Sequence, residues 1–147
     1  MGQLSVDKEV SINASQEKVF DFLTNPNKIP LVMSSLLANT NVPTLPIKKG
    51  TKFNYKYRLL GIIFTGTWTV TALQRPKVYK ARTEGGVSSE WSYSISKKGK
   101  GTNVHLGISY ALPKSILANI KTAAANSINK KETELFLHNL KTVIEMK

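Results

Sequence analysis

At the start of the chain apolar and polar side chains alternate, Leu4, Val6, Val10 and Ile12 against Ser5, Asp7, Glu9 and Ser11, the period of a half-buried strand. Lys8 is the exception on the apolar side. Ser15 is placed to cap a helix, although Lys18 stands where a capping box would have Glu or Gln. Val19, Phe20, Phe22 and Leu23 follow at helical spacing, and Asn25-Pro26 ends the run. A second short helix is predicted over residues 27–37, then a Pro-containing connector to Lys49. From Gly50 the period is two. Phe53, Tyr55, Tyr57 and Leu59 alternate with Lys52, Asn54, Lys56 and Arg58; Gly66, Trp68, Val70 and Ala72 alternate with Thr65, Thr67, Thr69 and Thr71. Residues 78–84 form another strand. Trp91, Tyr93 and Ile95 define the next, and Val104, Leu106, Ile108, Tyr110 and Leu112 the last. Turns fall near Gly61, Arg75-Pro76, Gly85-Gly86 and Lys97-Lys98-Gly99-Lys100-Gly101.

These are five consecutive strands joined by short turns, an antiparallel meander with one apolar face. After Pro113, residues 115–147 lack Gly and Pro. An apolar stripe through Ile116, Ile120, Ala123, Ala124 and Ile128 resumes at Leu135, Phe136, Leu140, Val143 and Ile144. This predicts one long helix of roughly 30 residues and about 45 Å, with residues 126–129 the place for any kink. The expected class is α+β: a curved antiparallel sheet of six strands, in the order β-α-α-β5-α, wrapped around a long C-terminal helix, with residues 1–147 as one domain. A twisted sheet touches a straight helix along a line, which leaves space beside it. Ala118 and Ala123-Ala124-Ala125 thin the helix, and large rings line the facing strands. A cavity is expected between them.

Order and spacing of several phrases resemble the SRPBCC superfamily (START-related, helix-grip, birch-pollen-allergen-like domains), in its polyketide cyclase/dehydrase-like branch. Residues 10–23 resemble that superfamily's opening strand and helix. Gly66-Thr67-Trp68-Thr69-Val70, Glu90-Trp91-Ser92-Tyr93 and residues 101–106 resemble its later strands, and residues 134–145 the end of its long helix. The resemblance implies a helix-grip fold that encloses a hydrophobic or amphipathic small molecule. It leaves open whether the domain carries a ligand or acts on one, because the superfamily hosts carriers, cyclases and hydrolases.

Composition narrows the chemistry. With no cysteine among 147 residues, there is no thiol nucleophile, thiolate zinc site or disulfide framework. His105 lies on the polar side of its strand and His138 on the last helix, without metal-ligand spacing. No Gly-x-Ser-x-Gly elbow, phosphate loop or dinucleotide motif occurs; neither cofactor nor metal is expected. Glu84 and Glu90 read as solvated hairpin charges. A two-residue loop at Gly85-Gly86 would turn Arg82 to the face of Trp91, where it could meet an acidic ligand beside Glu84; a longer loop, the favoured register, would turn Ala81 there. Lys8 is either an edge-strand charge or an ammonium at the cavity mouth.

Tyr55, Tyr57, Trp68, Trp91, Tyr93 and Tyr110 from the sheet, with Ile120 and Ala124 from the helix, are the expected ligand-contacting residues, entered past residues 33–37. Phe53 completes the aromatic set. So many hydroxyl and indole groups on one face exceed what a dry core accommodates, which favours a wet or ligand-holding cavity. The net charge is +12, from 21 Lys and Arg against 9 Asp and Glu, and no acidic residue stands between Asp21 and Glu84. Lys52, Lys56 and Arg58 share a polar strand face, a surface for an anionic membrane or an acidic carrier protein. RNA is disfavoured because no rings interleave these cations. The residues therefore point to sequestration or transfer of a hydrophobic small molecule. The alternatives are a cyclase/aromatase-type enzyme, which needs an inward acid or base, and a basic interaction module for RNA, the ribosome or acidic protein. The longest uncharged run, residues 29–47, holds three prolines and is no membrane span; with no leader pattern at the start, the expected location is the cytoplasm.

Overall fold

The computed structural model describes residues 4–114 and 121–146. Its elements are β1 (Leu4–Ile12), α1 (Gln16–Leu23), a 3-10 turn (Ile29–Leu31), β2 (Leu36–Thr40), β3 (Lys52–Leu59), β4 (Ile62–Gln74), β5 (Val78–Glu84), β6 (Ser88–Lys98), β7 (Gly101–Ala111) and α2 (Thr122–Glu145). The strands form one antiparallel, curved sheet in the order β1-β7-β6-β5-β4-β3-β2. The helix-grip architecture expected from the sequence is present, with seven strands in place of six.

The extra strand lies where a second helix was expected. Only Ile29–Leu31 is helical there, with Pro30 in its first turn. Ser35 then turns outward from any helix: its carbonyl accepts from Arg58 N at 2.7 Å, and its hydroxyl donates to Glu132. These contacts draw residues 36–40 alongside β3, where Leu36 pairs with Tyr57 and Thr40 with Asn54. Long-range pairing overrides local preference here.

The meander follows the predicted registers with one exception. Leu60 and Gly61, at φ 53° and 81°, make the two-residue turn that a right-twisted hairpin favours. Within β4 the register slips between Val70 and Ala72, so one extra residue reverses the alternation. Leu73, paired with buried Tyr79, packs on the core, and Ala72, expected inward, pairs with exposed Lys80.

Ser15 caps α1 as predicted, its Oγ accepting from Lys18 N at 3.1 Å. The buried Gln16 amide ties α1 to β6 through Ile95 O at 2.8 Å. The single long helix is corrected: α2 begins after Lys121, whose ψ of 142° is extended. It runs 24 residues, unbroken through residues 126–129. Its inward face also differs from the predicted stripe. Ala125, Asn129, Thr133, Phe136, Leu137, Leu140 and Ile144 are buried, while Ala123, Ala124, Ile128 and Leu135 face solvent. Two polar residues sit on the buried face, so the apolar pattern marked its neighbour. α2 packs along β1, secured by Lys8 Nζ to Glu134 at 2.6 Å, Asn13 N to Glu145 at 2.8 Å and Lys141 Nζ to Ser11 O at 3.0 Å. Leu140, Leu106, Val104, Ile12 and Val6 form the sealed core beneath it. The strands farther from β1 are left for a different contact.

Candidate functional site

Small residues on β5 assemble the aromatic floor. Thr83 pairs with Trp68 on one side and Ala81 with Trp91 on the other, so neither blocks the space above β5. The two indoles meet over them, ring centroids 5.4 Å apart. Phe53 stacks on Trp68 at 6.1 Å, and Tyr79 lies nearly parallel to Tyr93 at 5.5 Å. Gly66 matters equally: a Cβ there would stand 2.2 Å from Glu84 O and 2.6 Å from Tyr55 Oη. Its bare backbone lets Tyr55 lie across β4 and reach the β5–β6 loop.

Above the floor is a cavity open at its mouth, with about 780 Å³ of empty space when the adjoining solvent is included. Some 80 Å³ of it admits the centre of a water molecule, where one water needs about 10–15 Å³. Tyr55, Tyr57, Trp68, Trp91, Tyr93 and Tyr110 all line it. Ile120 lies outside the described residues. Ala124 is exposed, on the wrong side of α2, and does not line the cavity. From α2, Asn129 is the lining residue. The rest of the roof is Leu23, Pro26, Ile29, Met33 and Leu36, so the segment expected to gate the cavity, residues 33–37, supplies two of these five. Ala123, Ala124 and Ala125 do not line the hollow, and Ala118 lies outside the described residues.

The polar rings are largely paired within the protein, contrary to the expectation that solvent or a guest must satisfy them. Trp68 Nε1 donates to Tyr79 Oη at 2.9 Å and Trp91 Nε1 to Ser89 Oγ at 3.0 Å. Tyr55 Oη accepts from Val87 N at 3.1 Å and donates to Val87 O at 3.3 Å. Tyr110 Oη donates to Asn126 Oδ1 at 2.7 Å. Burial pushes the tyrosines toward the protonated form. Tyr57 rises to about 12, through burial and then the charge of Glu132, against the opposing hydrogen bond of Ser35. Tyr79 rises further through burial, eased by Trp68; Tyr93 also rises well above the usual range, and Tyr110 more modestly. All four are O–H donors at neutral pH.

Among the described residues no Lys, Arg, His, Asp or Glu lines the main cavity. A smaller recess of about 300 Å³ shares Met33, Tyr57, Trp91, Ile108 and Asn129 with it and adds Ser35, Glu132, Thr133 and Phe136. Glu132 is the acid the sequence reading missed. The favoured register at the β5–β6 hairpin holds: residues 85–87 form a three-residue loop, Ala81 faces Trp91, and Arg82 turns outward to Glu84 at 3.2 Å. Lys8 pairs with Glu134 and does not line the cavity. His105 pairs with Asp7 on the outer face, and His138 is exposed. Lys52, Lys56 and Arg58 are exposed on the convex face. Tyr79 was also missed, although inward Ala81 two positions on fixes its direction. Asn39 lay hidden in a segment read as helix end and connector.

A family model described as polyketide cyclase/dehydrase and lipid transport matches residues 3–145. Among solved structures, TTHA0849 from Thermus thermophilus superposes with a TM-score of 0.82 at 16% identity, covering 96% of this chain and 97% of that one. A START superfamily protein from Mycobacterium smegmatis gives 0.81 at 13% identity and 98% coverage of both chains. The Zhui aromatase/cyclase from Streptomyces sp. R1128 gives 0.74 at 14% identity, covering 98% and 94%. No curated protein sequence matches. Among the described residues no helix is long and apolar enough to cross a membrane.

Proposed function

The chain belongs to the polyketide cyclase/dehydrase and lipid transport family of the SRPBCC superfamily, and we propose that it takes up a hydrophobic or amphipathic small molecule in the ring-floored cavity, for sequestration or transfer. The observation that carries this reading is the hollow itself, lined by rings and aliphatic groups with a few uncharged polar side chains, and among the described residues by no charged one. Removing apolar surface from water stabilises a guest by about 25 cal/mol per Å². The rings are held by their own hydrogen bonds, so the floor is preorganised and little side-chain freedom is lost on binding. Entry passes residues 33–37, where Met33 and Leu36 border the cavity. Exposed Lys52, Lys56 and Arg58 offer an anionic membrane or an acidic carrier protein a place to dock during loading. The test is native mass spectrometry of the gently purified protein, followed by organic extraction. A stoichiometric mass adduct that extracts as one apolar compound supports the reading. A bare mass, together with no uptake of any apolar probe, refutes it.

One observation favours a second reading as an enzyme. Glu132 borders the smaller recess, accepting from the Ser35 hydroxyl beside Tyr57. A carboxylate base next to a neutral phenol donor is the pairing that enolisation of a bound carbonyl requires. Under this reading Glu132→Gln abolishes turnover of a poly-β-carbonyl model substrate and leaves its binding within about twofold.

A further inference from the structure

Most hydroxyl and indole groups of the cavity wall spend their protons inside the protein. Trp91 Nε1 donates to Ser89 Oγ, the hydroxyls of Ser89 and Thr83 are joined, and Thr83 Oγ1 donates on to Val87 O at 2.6 Å. Tyr55 uses Val87 O, Tyr110 uses Asn126, and Tyr57 is met by Ser35. Tyr93 is the exception: its hydroxyl forms no hydrogen bond with any described residue. Nor is it out of reach. Asn39 Oδ1 and Thr69 Oγ1 are the two side-chain atoms among the described residues that are sealed from solvent without a partner, and Tyr93 Oη is not one of them. Tyr93 is only 3% exposed and lines the cavity, so a water-sized group reaches its oxygen from the hollow. The ring is held still. It lies between Tyr79 and Leu106 on the neighbouring strands, nearly parallel to Tyr79 at 5.5 Å, and Tyr79 is itself fixed by the Trp68 indole.

Resting on the reading of the cavity as a ligand site, we propose that Tyr93 Oη donates its proton to an acceptor oxygen of the guest, so that the natural ligand is an uncharged carbonyl compound with an apolar body. Burial, and then the neighbouring Tyr79, keep this phenol protonated well above its usual range. Leaving a buried donor without an acceptor is costly, whereas the net value of making its bond is modest. A guest that displaces water from the hydroxyl without replacing its hydrogen bond therefore loses affinity. An ammonium group has no lone pair to offer. A carboxylate would be desolvated with no cation among the described lining residues to compensate it. An alcohol can accept as well, but it brings a proton of its own to place, and a carbonyl oxygen brings none.

The test uses three naphthalenes: 2-acetylnaphthalene, 2-isopropenylnaphthalene, which has the same shape with C=CH2 in place of C=O, and the anion 2-naphthoate. Wild-type protein and Tyr93→Phe, which keeps the ring, are titrated into each by calorimetry. From wild type to variant the ratio of ketone to alkene affinity should fall about tenfold, because the ketone loses its donor and the alkene no longer strands one. Naphthoate should bind the wild type at least tenfold more weakly than the ketone. In infrared difference spectra the carbonyl stretch of the bound ketone should lie below its value in hexane, and move back toward it in Tyr93→Phe. An unchanged affinity ratio overturns the assignment. So does a carbonyl stretch at its hexane value in the wild type, which requires no variant, and so does naphthoate binding as tightly as the ketone. Saturable binding of ketone and alkene alongside any of these results leaves the cavity reading standing and refutes Tyr93 as its donor. Binding of none of the three refutes the cavity reading and this inference together.

Discussion

Asn129→Leu should make the protein more stable and worse at holding a guest. Asn129 is only 8% exposed on the inward face of α2, beside the cavity. Its amide favours the ionised form of Tyr110, whose Oη donates to Asn126 Oδ1 at 2.7 Å. Taking a polar amide out of water costs about 1–3 kcal/mol before any hydrogen bond offsets it. Losing the contact with Tyr110 costs about 0.5–1.5 kcal/mol, and a buried leucine contributes about 1.5–3 kcal/mol relative to an exposed one. Part of the leucine faces the hollow and gains less. The balance is a stabilisation of about 1–2 kcal/mol, which for a chain of this size raises Tm by about 3–6 °C. Differential scanning calorimetry reads the first effect, and 2-naphthol titration reads the second as a loss of affinity. Opposite signs identify a residue retained for binding at the expense of stability. A lowered Tm with unchanged affinity would refute the reasoning, because Asn129 would then be a brace between α2 and β7.

Other outcomes follow from the same geometry. Gly66→Ala drives a methyl into Glu84 O and the Tyr55 ring, and should cost about 1–3 kcal/mol in urea unfolding; a change under about 0.5 kcal/mol contradicts the role given to Gly66. Glu134 is held below the usual carboxyl range by Lys8, and Glu145 by Lys141 and then Asn13 N–H. Their contribution to stability is complete above the unfolded carboxyl pKa of about 4.3 and fades as pH falls through and below it. The urea midpoint should therefore drop between about pH 5 and pH 3, less steeply in the Lys8→Met/Lys141→Met double variant; identical slopes contradict the pairings. Tyrosine absorbance should rise on titration through pH 10 by less than five phenols would give, with the deficit recovered on unfolding, because burial keeps Tyr57, Tyr79 and Tyr93 protonated.

The floor of the site was legible because strand parity is strict. Once Tyr55 and Trp68 point inward, their partners across each hairpin follow, and the six expected rings meet as a result. Parity failed at the bulge after Val70, where an added residue reverses the faces without a signal in Thr71 or Ala72. The roof was far less legible. Its residues, from Leu23 to Leu36, come from the end of α1, a turn and a short strand, and the last two depend for their shape on other segments: Arg58 for Ser35, Pro26 for Asn39. On α2 the reading followed apolar residues and chose Ala124, whereas the cavity side carries Asn129 and Thr133. Sites that hold polar atoms ready for a guest depart from the pattern that builds cores, which is why pattern alone points beside them.

Trp68 and Trp91, the two tryptophans of the chain, stand in the cavity wall, and their indole N–H groups are the reporters for a nitrogen-15 titration. Titrating 2-naphthol into the labelled protein should move both together, saturating at one equivalent, while the amides of Lys52, Lys56 and Arg58 on the convex face stay in place. Indole signals that remain still while those convex-face amides shift would mean that the guest sits on the surface, and that the ring-lined hollow is not the binding site.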